Sequence, residues 1–176
     1  MKKPYEIIKT EKIFQGKVFD ITRDEITLPD GNTTLRETVL RGDATAIVPI
    51  DNDGNVILVR QYRHPALKEI LEIPAGMLEK GEDPIECAKR ELEEETSFKA
   101  DELIHLTTIY PAVGICTEKI HIYLAKDLKQ GKFNFDPDEF ITIEKYSLDD
   151  AIELIYKGEI IDSKTIVGLL TCKKFL

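Results

Sequence analysis

The sequence predicts an α/β protein: a mixed β-sheet sandwiched between helices, preceded by an N-terminal antiparallel β subdomain. Three observations predict it. Alternating strand-like segments broken by Gly, Pro, Asn and Asp fill residues 5 to 62. One acidic amphipathic helix follows near residue 84, and two strands, a further strand and two helices close the chain. A meander, a hairpin, a helix, strands and then helices place helical cover on both faces of a sheet.

Tyr5 to Phe14 reads as the first strand. Val18 to Leu28 and Thr33 to Leu40 flank Pro29-Asp30-Gly31-Asn32, residues suited to a tight turn. Three antiparallel strands alone are marginal, so they need either the main domain or a second copy of the chain as a partner. The expected division is 1–42 for this subdomain and 43–176 for the rest. Arg36 and Arg41, in or just after the third strand, read by pattern as surface charges. Ala44 to Ile50 and Val56 to Tyr62 are apolar strands joined by the hairpin turn Asp51-Asn52-Asp53-Gly54, too short for a calcium loop. Arg60 and Arg63 lie at the end of the second. Leu71 to Pro74 leads into a loop at Ala75-Gly76, where an exposed carbonyl beside an acidic helix could serve as a hard oxygen ligand.

That helix has a clear start. Asp83 suits the N-cap, Pro84 the first helical position, and Glu86 the reciprocal place in a capping box. Ile85, Ala88 and Leu92 form one apolar stripe. Glu91, Glu94 and Glu95 cluster on its flank, while Glu86, Lys89 and Glu93 point towards water. Glu91 and Glu95 are i, i+4 neighbours whose like charges repel. A hard divalent cation, Mg²⁺ or Mn²⁺, would relieve that repulsion; zinc would not suit a set without Cys or His. Acidic helix faces are also commonly just solvated, and charge alone leaves both readings open.

Leu103 to Tyr110 reads as a strand, Pro111 to Cys116 as a loop, and Glu118 to Ala125 as a strand in which His121 is structural. Phe133 to Phe140 is an acidic loop. Ile141 to Tyr146 is a last strand, Leu148 to Tyr156 a helix capped by Ser147 and ended by Gly158, and Ser163 to Lys174 a final helix. The bulk properties bound the function. A chain of 176 residues, 42% hydrophobic and 32% charged, has the composition of a soluble globular domain. A net charge of −9 argues against nucleic acid or an anionic membrane as partner. No transmembrane span or signal peptide is visible. The odd, scattered Cys87, Cys116 and Cys172 read as reduced thiols of a cytoplasmic protein.

The spacing around the acidic helix narrows the choice. Gly76, five residues, Glu82, seven residues, then Arg90-Glu91-Leu92-x-Glu94-Glu95 resembles the Nudix box, with Ser97 where the family has its late glycine and Phe98 at the last aliphatic position. That glycine sits where a left-handed residue caps the helix, so slight strain or a shifted cap is expected at Ser97. Further segments resemble the ADP-ribose pyrophosphatase branch over nearly the full length: Leu28 to Gly31, Arg36-Glu37, Arg60 to Arg63, Glu72 to Gly76, the Tyr110 to Glu118 loop and Gly158 to Thr165. The chain departs from that branch at Ala112-Val113-Gly114, where Ser-Pro-Gly is usual.

The resemblance implies the Nudix fold and a homodimer with exchanged N-terminal strands. It implies Mg²⁺ bound by the Ala75 carbonyl, Glu91 and Glu95, with Glu94 near and Arg90 orienting the glutamates. Arg63 and Arg36 match substrate-contacting arginines, Arg36 from across the dimer, and Glu139 matches an acidic loop that supplies a ligand or general base. Arg60, Met77, Glu82 and Glu118 are further substrate-site candidates. The implied reaction is hydrolysis of ADP-ribose to AMP and ribose 5-phosphate. Two alternatives stand beside it: a Nudix hydrolase for GDP-mannose or a dinucleotide, and a non-catalytic ADP-ribose sensor. Sensors of that kind usually lose the box glutamates and carry a DNA-binding domain, for which no room is expected here.

Overall fold

The computed structural model describes residues 3–131 and 140–176 and divides into two compact units. The first holds Met1–Asp43 together with Tyr110–Lys119, so the loop after residue 109 joins the N-terminal strands. Within it, β1 (Ile7–Gln15), β2 (Asp20–Thr27) and β3 (Thr33–Leu40) form an antiparallel meander in chain order. Val39 bridges to Cys116 in parallel, and Arg41 pairs with Glu118 at 3.1 Å, which fastens the loop to the end of β3. Every residue of β1 is exposed, Ile7, Ile8, Ile13 and Phe14 among them. The meander therefore has a hydrogen-bonded ladder but little core of its own.

The second unit, Ala44–Ile109 with Ile120–Leu176, is layered. Its elements are β4 (Ala44–Pro49), β5 (Asn55–Arg63), β6 (Lys68–Glu72), β7 (Ala75–Met77), α1 (Pro84–Thr96), β8 (Phe98–Lys99), β9 (Leu103–Ile109), β10 (Ile120–Ala125), β11 (Lys129–Gln130), β12 (Thr142–Ser147), α2 (Leu148–Tyr156) and α3 (Ser163–Cys172). One sheet runs β7-β4-β10-β9, another β12-β5-β6, and β11 pairs with β8. In the first sheet β4 and β10 pair in parallel while β7 and β9 join antiparallel, which makes it mixed.

Strand β4 is buried along its whole length because both of its faces are covered. Ala44, Ala46 and Val48 face a cluster with Leu58, Ile73, Ile122 and Leu169 that α2 and α3 close. Ile47, on the opposite face, joins Ile57, Tyr123 and the α1 residues Ala88 and Leu92. Helices thus lie on both faces, as the element order predicts.

Local differences have physical reasons. The apolar strands β4 and β5, expected as a hairpin, meet at the Ile50–Val56 bridge and enter different sheets. Lys68–Glu72 is a strand for which local pattern sets no expectation, and Ala75–Met77 is a strand where a loop is expected. Ala-Gly-Met has no intrinsic strand preference, and its ladder to β4 comes from tertiary pairing. The capping box does not form: Asp83 accepts from the Ile85 N–H at 3.0 Å, but Glu86 pairs with Lys89 at 2.8 Å instead of reaching back. The last helix is capped by Asp162 and ends at Cys172, giving way to a 3-10 turn. Ser97 takes the left-handed conformation, φ 61°, and its N–H still bonds Glu93 O, so the cap survives with a serine under strain.

Candidate active site

Two neighbouring elements build the site. α1 presents its acidic flank to β7, and β7 is held edge-on to β4 through Thr45 opposite Gly76. The Glu91 carboxylate lies so close to Gly76 that a Cβ there would stand 1.9 Å from Oε1. A glycine is required by contact, not by its φ. Glu95, one turn on, accepts a hydrogen bond from the Ala75 N–H at 3.1 Å. Both carboxylates are nearly out of solvent, with relative exposures of 9% and 4%.

Arg90 is the hub beside them. Its Nε and Nη2 donate to the two oxygens of Glu82 at 3.0 and 3.1 Å, and Nη1 donates to Glu91 at 2.6 Å and Glu94 at 2.9 Å. Nη2 also reaches the Met77 carbonyl at 3.2 Å. The guanidinium is held charged, its pKa raised first by the Glu82 hydrogen bonds and then by Glu91 and Glu94 against the opposing effect of burial. Glu82 is held down correspondingly, to about 2, chiefly by the Arg90 hydrogen bond. Cys87, under the same loop, is pushed up to about 11 by burial, so its thiol stays neutral and offers no ligand.

Arg63 ends β5 and forms a bidentate pair with Glu72, Nε and Nη2 each at 2.8 Å. Its pKa is raised first by that hydrogen bond, and Glu95 is close enough to add to the effect. Burial alone would raise the Glu72 carboxyl, yet the Arg63 hydrogen bond and the charges of Lys164 and Arg63 outweigh it and hold it low. Arg60 is committed elsewhere, paired with Glu144 at 2.5 and 3.2 Å while the Tyr146 hydroxyl donates to the same carboxylate.

The structure therefore gathers Ala75, Met77, Glu82, Arg90, Glu91, Glu94 and Glu95 into one cluster, with Arg63 alongside. Arg60 has a separate partner. Arg36 and Glu118 belong to the N-terminal unit, where Arg36 donates to the Thr34 hydroxyl and the Leu35 carbonyl and Glu118 pairs with Arg41. Glu139 lies outside the described residues. Sequence reasoning missed Glu144 as the partner of Arg60 and Lys164 as a second cation on Glu72, since nothing local in the sequence marks contacts across 80 or 90 residues.

The donor chemistry fits a hard divalent cation. Glu82, Glu91 and Glu94 share one guanidinium, which leaves excess negative charge, and the remaining atoms on offer are carboxylate and carbonyl oxygens. Among the described residues, no group of three or more His, Cys, Asp or Glu side chains converges as a ready cation site.

A buried glutamate pair seated against a glycine-bearing strand, with an arginine binding the first of the two and a neighbouring glutamate, is the arrangement of a Nudix-class hydrolase. The NUDIX domain family matches residues 40–167, and the chain belongs to that family, whose enzymes generally depend on a divalent metal. Among its relatives, an ADP-ribose pyrophosphatase of Bacillus subtilis (strain 168) is 41% identical over 92% of this chain and 89% of its own length. A methanol dehydrogenase activator of Bacillus methanolicus is 43% identical over the same shares. The fold matches the crystal structure of an ADP compounds hydrolase with a TM-score of 0.89, at 24% identity over 99% of this chain and 95% of that one.

Proposed function

We propose that this enzyme hydrolyses the pyrophosphate bond of ADP-sugars to AMP and the sugar phosphate, above all ADP-ribose to AMP and ribose 5-phosphate. The observation that carries the reading is the buried Glu91–Glu95 pair seated against Gly76 and Ala75 under Arg90. The name of the Bacillus subtilis relative points to the same substrate.

In this reading Glu91, Glu95 and the Ala75 carbonyl hold Mg²⁺, with Mn²⁺ a substitute of like hardness. When bound, such a cation neutralises diphosphate charge and lowers the pKa of a coordinated water. Arg90 touches no substrate; it holds Glu91 and Glu94 in register and ties them to Glu82. Arg63 offers its remaining Nη1 to a phosphate oxygen, because Nε and Nη2 are taken by Glu72. Water adds to one phosphorus, the bridging oxygen leaves with the other, and a carboxylate takes the water's proton. Glu139, by its match to the family's acidic loop, is our assignment for that base, with Glu94 near the metal. Arg60, Met77, Glu82 and Glu118 complete the proposed surroundings of the substrate.

The active form in this proposal is a homodimer in the cytoplasm. The exposed apolar residues of β1 support a second copy covering the N-terminal sheet and bringing Arg36 to the site of its partner. Among the described residues no helix is long and apolar enough to cross a membrane, and the three cysteines are free thiols. The net charge of −9 disfavours nucleic acid as a partner.

The test is product analysis with Mg²⁺ and a panel of ADP-ribose, other ADP-sugars, GDP-mannose and dinucleotides. AMP released fastest from ADP-ribose is the expected result. Faster turnover of GDP-mannose or a dinucleotide would replace the substrate, and tight binding of ADP-ribose without turnover would replace the enzyme by a sensor.

A further inference from the structure

The first turn of α3 lies outside the acidic cluster, yet it is wired to Arg63. Glu72 is only 2% exposed and carries two cations: the Arg63 fork and Lys164 Nζ at 2.5 Å. One arginine would suffice to neutralise one buried carboxylate. The second cation is balanced by Asp162, 3.0 Å from Lys164 Nζ. Arg63, Glu72, Lys164 and Asp162 therefore alternate in sign along one chain of contacts. Asp162 in turn caps α3, accepting from Thr165 N–H and Oγ1 at 2.9 and 2.6 Å, while Thr165 Oγ1 accepts from the Ile73 N–H at 2.9 Å. Ile73 is two residues before Ala75.

We infer that Lys164 is a positioning residue for catalysis: through Glu72 it fixes the Arg63 guanidinium beside Glu95 with Nη1 turned away from the pair. The inference rests on the proposed role of Arg63 in binding the diphosphate. Glu72 has lone pairs for more donors than Arg63 can direct at it. With Lys164 on Oε2, the in-plane fork is the arrangement left to Arg63, which keeps Nε and Nη2 occupied. Without Lys164, Oε2 of Glu72 loses one of its two donors. Arg63 would then be drawn further onto Glu72, away from a substrate oxygen.

The experiment is a double-mutant cycle with R63A, K164M and the pair, following kcat and KM for ADP-ribose at saturating Mg²⁺, with thermal melting as the fold control. K164M is expected to raise KM about 10-fold with kcat within about 3-fold, the signature of lost substrate binding. In the R63A background K164M should add less than about 2-fold, because a group acting through Arg63 has nothing left to position. The Arg63 Nε–H NMR signal, assigned by its disappearance in R63A, should shift and broaden in K164M. K164Q, which keeps a donor but loses the charge, takes the place of K164M if the latter lacks a folding transition. Effects that multiply in the double variant, or unchanged KM and an unchanged Nε–H signal in K164M, would overturn the proposal while leaving the hydrolase reading standing. Wild-type kcat/KM in R63A would instead overturn the role of Arg63, and this inference with it.

Discussion

Replacing Gly76 by alanine is the smallest change that reaches the centre of the site. The added methyl would stand 1.9 Å from Glu91 Oε1, 2.0 Å from Cδ and 2.4 Å from Oε2. Ordinary contact then requires the carboxylate to retreat by about 1.5 Å. The strand cannot yield instead, because β7 is paired to β4 at Thr45, Ala44 and Ala46. The Glu91 side chain therefore swings and gives up its 2.6 Å hydrogen bond to Arg90. A charge-assisted bond of that kind contributes about 1.5–3 kcal/mol, so G76A should melt several degrees lower and still fold. Its catalytic loss should be larger: displacement of a catalytic group by about 1 Å costs about 10²-fold, or about 2.7 kcal/mol in the barrier. The assay is kcat/KM for ADP-ribose across a Mg²⁺ titration, beside a melting curve. Wild-type kcat/KM at every Mg²⁺ concentration, in a protein that melts as a single transition, would refute the placement of Glu91 in the catalytic centre.

Three further outcomes follow from the same geometry. E95Q keeps an oxygen able to accept from Ala75 N–H but loses the charge, so it should fold normally and lose at least about 10²-fold in kcat, measured by AMP release. S97G should stabilise the protein by about 1 kcal/mol in urea unfolding with kcat unchanged, because it relieves the left-handed serine and removes a buried Oγ that has no hydrogen-bond partner. The Glu82–Arg90 pair contributes stability in full above the unfolded carboxyl value of 4.5, and that contribution is lost as pH falls towards the folded value of about 2. Melting temperatures of wild type and E82Q should accordingly converge between pH 4.5 and 2.

The chain's periodicity was enough to place the meander, the apolar strands β4 and β5 (though not their separation into two sheets), the acidic helix and the last two helices, because each depends on local patterning of side chains. The spacing from Gly76 to Glu95 made the acidic cluster legible, and the αL cap at Ser97 was foreseeable from a helix end without its usual glycine. What stayed hidden shares one cause. Strand β7 has no strand-forming residues and exists because β4 offers it an edge. Glu86 had the sequence position for a capping box, but Lys89 on the next turn was the nearer partner. The chain from Lys164 through Glu72 to Arg63 joins segments about 90 residues apart. Sequence alone determined which residues could carry the chemistry, since residue type and local spacing are written into it. Tertiary structure decided which cation each carboxylate received, because in a packed interior the partner is whichever charge the fold brings within hydrogen-bonding reach.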